Sequence, residues 1–367
     1  MEVEVLQERL SKALSVVSRV AASTKAGLPI LSNVLLRAEG KQLTLTATNL
    51  ELATVEYVNA QVAKEGTITV PARLLADFIS NLPKDNIKIS VSGEKMTVSS
   101  GKYKSTINGI LADDFPELPT IDEKEAVAFK IPADIFKEAV NQVIIAASND
   151  TTRPALTGVY FNTFEGALYI AATDGYRLAD RKFVDDVKSE IKAIVPTPAL
   201  REVLSSISDS VEDIEVAIID SQIRFRLGEI EITSKLIDAS FPDYRQLIPK
   251  DSKAKIKLNK AELVRMTKVA ALFARESGGS VVCEAKKAEG SFGVSAVASE
   301  LGENSATMEA DVAEDGKVTL NSRYLLDALN AISEDEVEYS FSGKLSPIVL
   351  KNIKSADYTH IIMPLKS

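Results

Sequence analysis

The chain has 367 residues, 45% of them hydrophobic and 26% charged, and a net charge of −9. That length suits two or three domains rather than one ordinary core, and no apolar run reaches the ~18 residues that a membrane helix needs. One Cys, Cys283, and one His, His360, make a disulfide framework, a Cys/His zinc site or a Cys-His nucleophile pair hard to build.

Other absences point the same way. Neither G-x-x-x-x-G-K-[ST] nor G-x-G-x-x-G occurs, so the phosphate-cradling loops of nucleotide enzymes are missing and a binding protein is favoured over an enzyme. The N-terminal MEVEVLQERL is interrupted by acidic residues and no long apolar stretch follows, which predicts a cytoplasmic protein with no membrane partner. The acidic total argues against nucleic acid unless Lys and Arg are clustered.

In chain order, VLQERLSKALSVVSRVAAS (5–23) begins extended and runs into a helix with an apolar stripe. QLTLTAT (42–48) alternates as a half-buried strand and leads into the polar turn of ATNLELA (47–53). VPARLLADFI (70–79) turns from strand to helix at Pro71, with Leu74/Leu75 four residues before Phe78/Ile79. IKISVSG (87–93), MTVSS (96–100) and KYKSTIN (102–108) alternate again, and ADDFPELPTIDEKEA (112–126) is an extended, charged linker. IPADIFKEAVNQVIIAAS (131–148) repeats the first helical pattern, and ALYIAAT (167–173) leads into ATDGYRLA (172–179).

In that last stretch, Asp followed by Gly is turn chemistry, and ATNLELA has the same small-polar turn with its closing Leu-Ala one residue sooner. A catalytic Asp would not be expected to have such a twin. VPTPALREVL (195–204) again turns from strand to helix, IEVAII (214–219) alternates, and ASFPDYRQLIPKDSK (239–253) is a second linker with Phe-Pro and a further Pro. LNKAELVRMTKVAALFAR (258–275), LNSRYLLDAL (320–329) and VEYSFSG (337–343) restate the pattern. The apolar run of HIIMPLKS (360–367) predicts a C-terminus tied down as an edge strand.

The segments starting at Val70, Val195 and Leu320 are 125 residues apart at each step, the sign of a repeated domain rather than a short solenoid unit. Each repeat holds two helices and several alternating strands. The expected fold is therefore α+β, with two β-α-β-β-β units per repeat and domains at 1–121, 122–249 and 250–367.

Taken together, LPILSNVLL (28–36), VPAR (70–73), ADDFP (112–116), ATDGYRLA, SFPDYRQLIP (240–249) and IIMPLK (361–366), in this order on a three-fold repeat, resemble the bacterial β sliding clamp family. The resemblance covers essentially the whole chain. It implies three clamp domains in a crescent, and two crescents closing head to tail as a homodimeric ring, with helices inside and sheets outside. Its implied function is to encircle duplex DNA and tether the replicative DNA polymerase, the clamp loader and other proteins carrying a short clamp-binding peptide. No chemistry, cofactor or metal is implied.

Arg9, Lys12 and Arg19 in the first helix and Arg265, Lys268 and Arg275 in the fifth share the spacing 0, +3, +10. At ~100° per residue each trio spans about 80° of arc. Either stripe alone reads as a solvated helix face; the resemblance turns both towards DNA, together with Lys25, where the family carries Arg, and Arg73. The chain departs from the family at Pro154 and Ala155, which leaves contacts near Asn149 and Asp150 outside this expectation.

The resemblance also implies a pocket for partner peptides. It would be lined or bordered by Arg153, Leu156, Thr173, Gly175, Tyr176, Arg177, Leu178, Pro242 and Leu247, and by Asn321, Tyr324, Ser346, Ile361, Met363, Pro364, Leu365 and Lys366. Tyr176 stands where many members carry His, and Arg153 and Arg177 would orient the peptide. Plain core packing accounts equally for Leu156, Leu178 and Leu247. The dimer contact would use two edge strands, with Lys102, Lys104 and Ile107 on one side and Glu300 and Glu303 on the other, beside Leu272 and Phe273. Two alternatives stand against the clamp: an acid-base site of Asp174, Arg177 and His360, and a non-ring peptide scaffold whose basic residues point outward.

Overall fold

The computed structural model describes every residue except 24–27, 119–120, 250–251, 301, 356 and 366–367. Strands and helices follow the expected β-α-β-β-β order six times. The first repeat runs β1 (Glu2–Leu6), α1 (Gln7–Ala22), β2 (Asn33–Glu39), β3 (Gln42–Thr48), β4 (Leu52–Asn59), β5 (Gln61–Lys64), β6 (Gly66–Pro71), α2 (Ala72–Ser80), β7 (Asn86–Ser92), β8 (Lys95–Ser100) and β9 (Tyr103–Asn108). The middle repeat runs β10 (Val127–Pro132), α3 (Ala133–Ile144), β11 (Gly158–Phe164), β12 (Ala167–Thr173), β13 (Arg177–Val184), β14 (Lys192–Pro196), α4 (Thr197–Ser206), β15 (Asp213–Ile219), β16 (Gln222–Leu227) and β17 (Ile230–Lys235). The third runs β18 (Ala254–Asn259), α5 (Lys260–Phe273), β19 (Ser280–Lys286), β20 (Ser291–Ala298), β21 (Gly302–Glu309), β22 (Gly316–Asn321), α6 (Ser322–Ala331), β23 (Glu336–Phe341), β24 (Ile348–Asn352) and β25 (Tyr358–Ile362). Among the described residues only the short β5 stands outside the pattern.

Two helices start at an Asn that caps them. Asn259 accepts a hydrogen bond from the Glu262 N–H, and Asn321 accepts from the Arg323 and Tyr324 N–H groups, so orphan donors of α5 and α6 are satisfied. Pro71 precedes α2 with its φ already near the helical value.

The chain forms two compact units, residues 1–133 with 198–236 and residues 134–197 with 237–367. The middle repeat is thus divided. In the first unit a five-stranded sheet has the order β5-β1-β7-β8-β9, and an eight-stranded sheet the order β10-β15-β16-β17-β4-β3-β2-β6. The second unit has an eight-stranded sheet, β14-β11-β12-β13-β25-β24-β23-β18, and a four-stranded one, β21-β20-β19-β22.

Each eight-stranded sheet is joined by one antiparallel seam between repeats. In the first unit Thr54 of β4 pairs with Ile232 of β17; in the second Leu178 of β13 pairs with Ile361 of β25. The C-terminal strand is therefore not an edge strand. It lies between β13 and β24, because hydrogen-bonding partners on both sides cover its backbone.

Helices cover the sheets. α1 packs on α2, β3 and β4 and buries Leu10, Leu14 and Val17; α5 packs on α6, β20 and β21 and buries Leu263, Met266 and Ala270. Each such leucine contributes about 1.5–3 kcal/mol of apolar burial, before the entropy of ordering it. Among the described residues no helix is long and apolar enough to cross a membrane.

Candidate peptide pocket and nucleic-acid face

The turn after β12 is built by its own side chains. Thr173 Oγ1 donates to the Arg177 carbonyl at 2.6 Å and accepts from the Gly175 N–H at 3.1 Å. Asp174 Oδ1 accepts from the N–H groups of Tyr176 and Arg177 at 2.9 and 3.0 Å, and Gly175 takes φ 90°, which glycine adopts without a β-carbon clash.

The same bonds recur 125 residues earlier in sequence. Thr48 Oγ1 donates to the Leu52 carbonyl and accepts from the Leu50 N–H, while Asn49 Oδ1 accepts from Glu51 and Leu52. The bonding aligns Leu52 with Arg177, one residue off the match in letters. Leu50 takes Gly175's place at φ 76°, an uncommon backbone region for a residue with a β-carbon.

Arg177 is 9% exposed and paired with two carboxylates. Its Nε lies 3.0 Å from Asp174 Oδ2, its Nη1 lies 2.7 Å from Asp327 Oδ2, and its guanidinium stacks 4.4 Å from the centre of the Tyr324 ring. Its charge is already balanced. These contacts brace the turn against α6. Arg153 is exposed, and its Nη1 lies 3.9 Å from where a β-carbon on Gly175 would stand.

Beneath the turn, Leu178 and Ile361 form a buried cluster with Ala171, Tyr244 and Val349, against which Tyr160, Phe241 and Ile248 pack. Leu178, Ile361 and Leu156 are thus core residues. Around them Tyr176, Leu247 and Met363 are 64%, 57% and 40% exposed, and Pro242 and Gly175 are also exposed.

The outward position of Leu247 has a physical support that the sequence reading missed. Tyr244 donates a 2.8 Å hydrogen bond to Asp180, whose carboxyl burial pushes up from its usual range. Arg245 stacks 4.0 and 4.1 Å from the rings of Phe164 and Tyr169, and Tyr160 stacks on Phe241 at 4.7 Å. These contacts pin the 3₁₀ turn Tyr244–Leu247 from inside, leaving Leu247 outside. The aromatic and Arg content of SFPDYRQLIP was the available signal. Leu345, beside Ser346, is 76% exposed.

Past β25 the backbone is held by hydrogen bonds through residue 365. The Met363 N–H donates to the Tyr176 carbonyl and the Leu365 N–H to the Thr319 carbonyl, both at 2.8 Å, and Pro364 and Leu365 are half-buried. Asn321 caps α6 and Tyr324 lies under Arg177. Lys366 lies outside the described residues.

His360 is buried, with Nδ1 2.8 Å from the Tyr358 hydroxyl. That hydroxyl is 3.2 Å from the Gln142 carbonyl, so it donates there and accepts the Nδ1 proton. Burial, with a smaller contribution from Arg177, pushes the imidazole down to about 3. A neutral, enclosed imidazole and a turn-forming Asp174 do not make an acid-base site. Among the described residues no three His, Cys, Asp or Glu side chains gather to hold a metal ion.

On the basic faces, Arg9 and Lys12 of α1 and Arg73 of α2 are exposed. Arg19 is not free: it forms a salt bridge to Glu202 at 2.6 Å and a hydrogen bond to Ser206 at 3.0 Å. In the second unit Arg265 and Lys268 are exposed on α5, but the helix ends at Phe273. Arg275 sits in the following 3₁₀ turn Ala274–Ser277, outside the helical arc assumed for it. Lys25 lies outside the described residues.

Both expected edges are open. β9 is the outer strand of its sheet, with Lys102 and Lys104 exposed; β21 is the outer strand of its own, with Glu300 and Glu303 exposed. Ile107 is 6% exposed and paired with Met96 of β8. Leu272 is 53% exposed and Phe273 half-buried.

Comparison with known proteins accounts for this arrangement. Family models of the DNA polymerase III beta subunit match residues 1–119 (N-terminal domain), 130–243 (central domain) and 245–366 (C-terminal domain). The beta sliding clamp of Staphylococcus aureus is 30% identical over 359 residues, covering 95% of this chain and 94% of that one. The Staphylococcus epidermidis protein is 32% identical over 361 residues, with the same coverage. Among solved structures, the DNA polymerase sliding clamp of Bacillus subtilis superposes with TM-score 0.95 at 28% identity, covering 100% of this chain and 99% of that one. The DNA polymerase III subunit beta of Pseudomonas aeruginosa does so with TM-score 0.94 at 28% identity, covering 100% of both. Three family domains in order and near-complete coverage mean that the chain belongs to the DNA polymerase III beta subunit family, the sliding clamps, which are processivity subunits and not enzymes.

Proposed function

We propose that two copies of this chain close head to tail into a cytoplasmic ring around duplex DNA, built from domains 1–121, 122–249 and 250–367. The observation that carries the reading is the pair of open edges, β9 in the first repeat and β21 in the third. They differ in charge, Lys102 and Lys104 against Glu300 and Glu303. Pairing two unlike edges twice closes a ring in which neither β9 nor β21 is left unpaired. Leu272 and Phe273 supply apolar contact beside that seam.

DNA contacts are assigned to Lys25, Arg73, Arg9, Lys12, Arg265, Lys268 and Arg275, with Arg19 contributing through whatever charge Glu202 leaves it. A ring is held by topology, so a mildly positive lining suffices, and an acidic exterior discourages stray nucleic-acid binding. No base-reading set is evident, so binding is independent of sequence.

The exposed apolar surface over Leu178 and Ile361 is assigned to a short, mostly apolar peptide carried by the polymerase, clamp loader and other partners. Tyr176, Leu247 and Met363 would be its apolar contacts and Arg153 its cationic one, with adaptable Met chemistry suited to several partners. The Pseudomonas aeruginosa clamp has been solved bound to griselimycin, a precedent for ligand binding in this family. The test is retention: protein loaded on nicked circular DNA should stay bound through a salt wash and leave when the circle is cut. Equal loss from intact and linearised DNA would refute the ring.

A further inference from the structure

Glu56 lies in the middle of β4 and is 7% exposed. Its neighbours two residues away on the same face, Thr54 and Val58, are also buried, and α1 packs on this strand. The cations that act on the carboxyl come from α1: Lys12 and Arg19 favour its ionised form, while Glu229 in the β16–β17 turn opposes it. Burial outweighs both and pushes the carboxyl up to about 7. Its strand partners, Leu45 of β3 and Ile230 of β17, are apolar.

Two features show that this carboxyl is incompletely satisfied. Glu56 Oε2 and Thr54 Oγ1 are buried without a hydrogen-bond partner among the described residues. Glu56 also borders a cavity of about 320 Å³ together with Arg9, Lys12, Ser208 and Ser210. Arg19 cannot fully serve as its counter-ion, because its Nε and Nη2 are bound to Glu202 and its Nη1 to the Ser15 carbonyl. Of the two α1 cations that act on the carboxyl, Lys12 is the one that forms no ion pair among the described residues.

We propose that Glu56 is a positioning residue that sets how strongly the Arg9–Lys12 face of α1 holds duplex DNA, its charge competing with DNA phosphate for Lys12. The proposal rests on the DNA reading above. When ionised, Glu56 draws Lys12 inward; when protonated, it leaves the ammonium to the phosphates. The hold on DNA should therefore strengthen as pH falls through about 7.

The experiment measures the affinity of full-length protein for a blunt duplex of arbitrary sequence at pH 6 and pH 8, in parallel with retention on nicked circles. The wild type should bind about three- to tenfold more tightly at pH 6, the weight of roughly one phosphate contact at low salt. Glu56→Gln should bind at both pH values as the wild type does at pH 6, and Lys12→Gln should bind weakly at both. If Glu56→Gln keeps the wild-type pH dependence, or the wild type shows none, this inference falls while the ring stands. Should Glu56→Gln fold poorly, Lys12→Gln decides: a full pH response without Lys12 overturns the proposal. Wild type that is not retained on circles removes the DNA reading and this inference with it.

Discussion

Replacing Arg177 by Ala tests whether that residue is scaffold or peptide contact. The substitution leaves Asp174 and Asp327 without their shared cation, and breaking a buried pair costs about 3–5 kcal/mol. The lower end applies here. Asp174, 13% exposed, keeps two backbone N–H donors, and Asp327, 32% exposed, regains water. Loss of the stacking on Tyr324 adds about 0.5–1 kcal/mol. A total of about 3.5–4 kcal/mol should lower the melting temperature of a unit of roughly 200 residues by about 7–16 °C. Arg177→Lys should recover only part of this, because one ammonium cannot bridge both carboxylates. Differential scanning calorimetry, paired with titration of a clamp-binding peptide, reads both quantities. An unchanged melting temperature with peptide binding abolished would refute the reasoning and restore Arg177 as a direct contact.

Leu247→Ala combined with deletion of residues 363–367 removes two apolar anchors of ~1.5–3 kcal/mol each, so calorimetry should show peptide affinity reduced by at least about a hundredfold with retention on circles unchanged. Leu272→Ala should barely alter unfolding of the single chain, since the side chain is 53% exposed there, yet light scattering at micromolar concentration should show a shift from dimer to monomer. The His360 imidazole is held near 3 in the fold against an ordinary value of 6.5, so its contribution is full above about 6.5 and is lost as pH falls towards 3. Relative to His360→Gln, urea titrations of the wild type should therefore lose about 1.4 kcal/mol more per pH unit between 6 and 4. The Glu56 carboxyl has the opposite sense: raised from 4.5 to about 7, it stabilises fully below 4.5 and loses that contribution as pH rises through 7. Glu56→Gln should accordingly unfold at higher urea than the wild type at pH 8, by up to ~3 kcal/mol, and at pH 4 should gain nothing.

The parts of the fold that were legible in the sequence are the local ones. Asn259, Asn321 and Pro71 announce helix starts by their own chemistry, and the alternating strands show their period within six or seven letters. The 125-residue spacing made the repeat countable, and the turn at Thr173 to Arg177 explained itself because its bonds span only a few residues. The engagement of Arg177 was hidden, since Asp327 lies 150 residues away. So was that of Arg19, whose partner Glu202 is 183 residues distant. The end of α5 was misread because the apolar letters continue through Ala274, whereas the left-handed residue that closes the segment is Gly278. The interior place of β25 could not be inferred from its letters either, since an apolar strand reads alike at an edge and in the middle of a sheet.

The two seams between repeats impose an order on synthesis. Leu178 must wait for Ile361 and Thr54 for Ile232, separations of about 180 residues. At roughly 5–20 residues per second on the ribosome, β4 and then β13 each stand with one side unpaired for about 10 to 40 s. Both are bare antiparallel ladders during that interval, able to pair with the same strand of a neighbouring nascent chain on a crowded message. A stall or frameshift shortly before codon 358 would yield a chain that has made almost everything except the strand that closes β13. Such products should be sticky rather than merely inactive, and cells making this protein would need to hold or clear them.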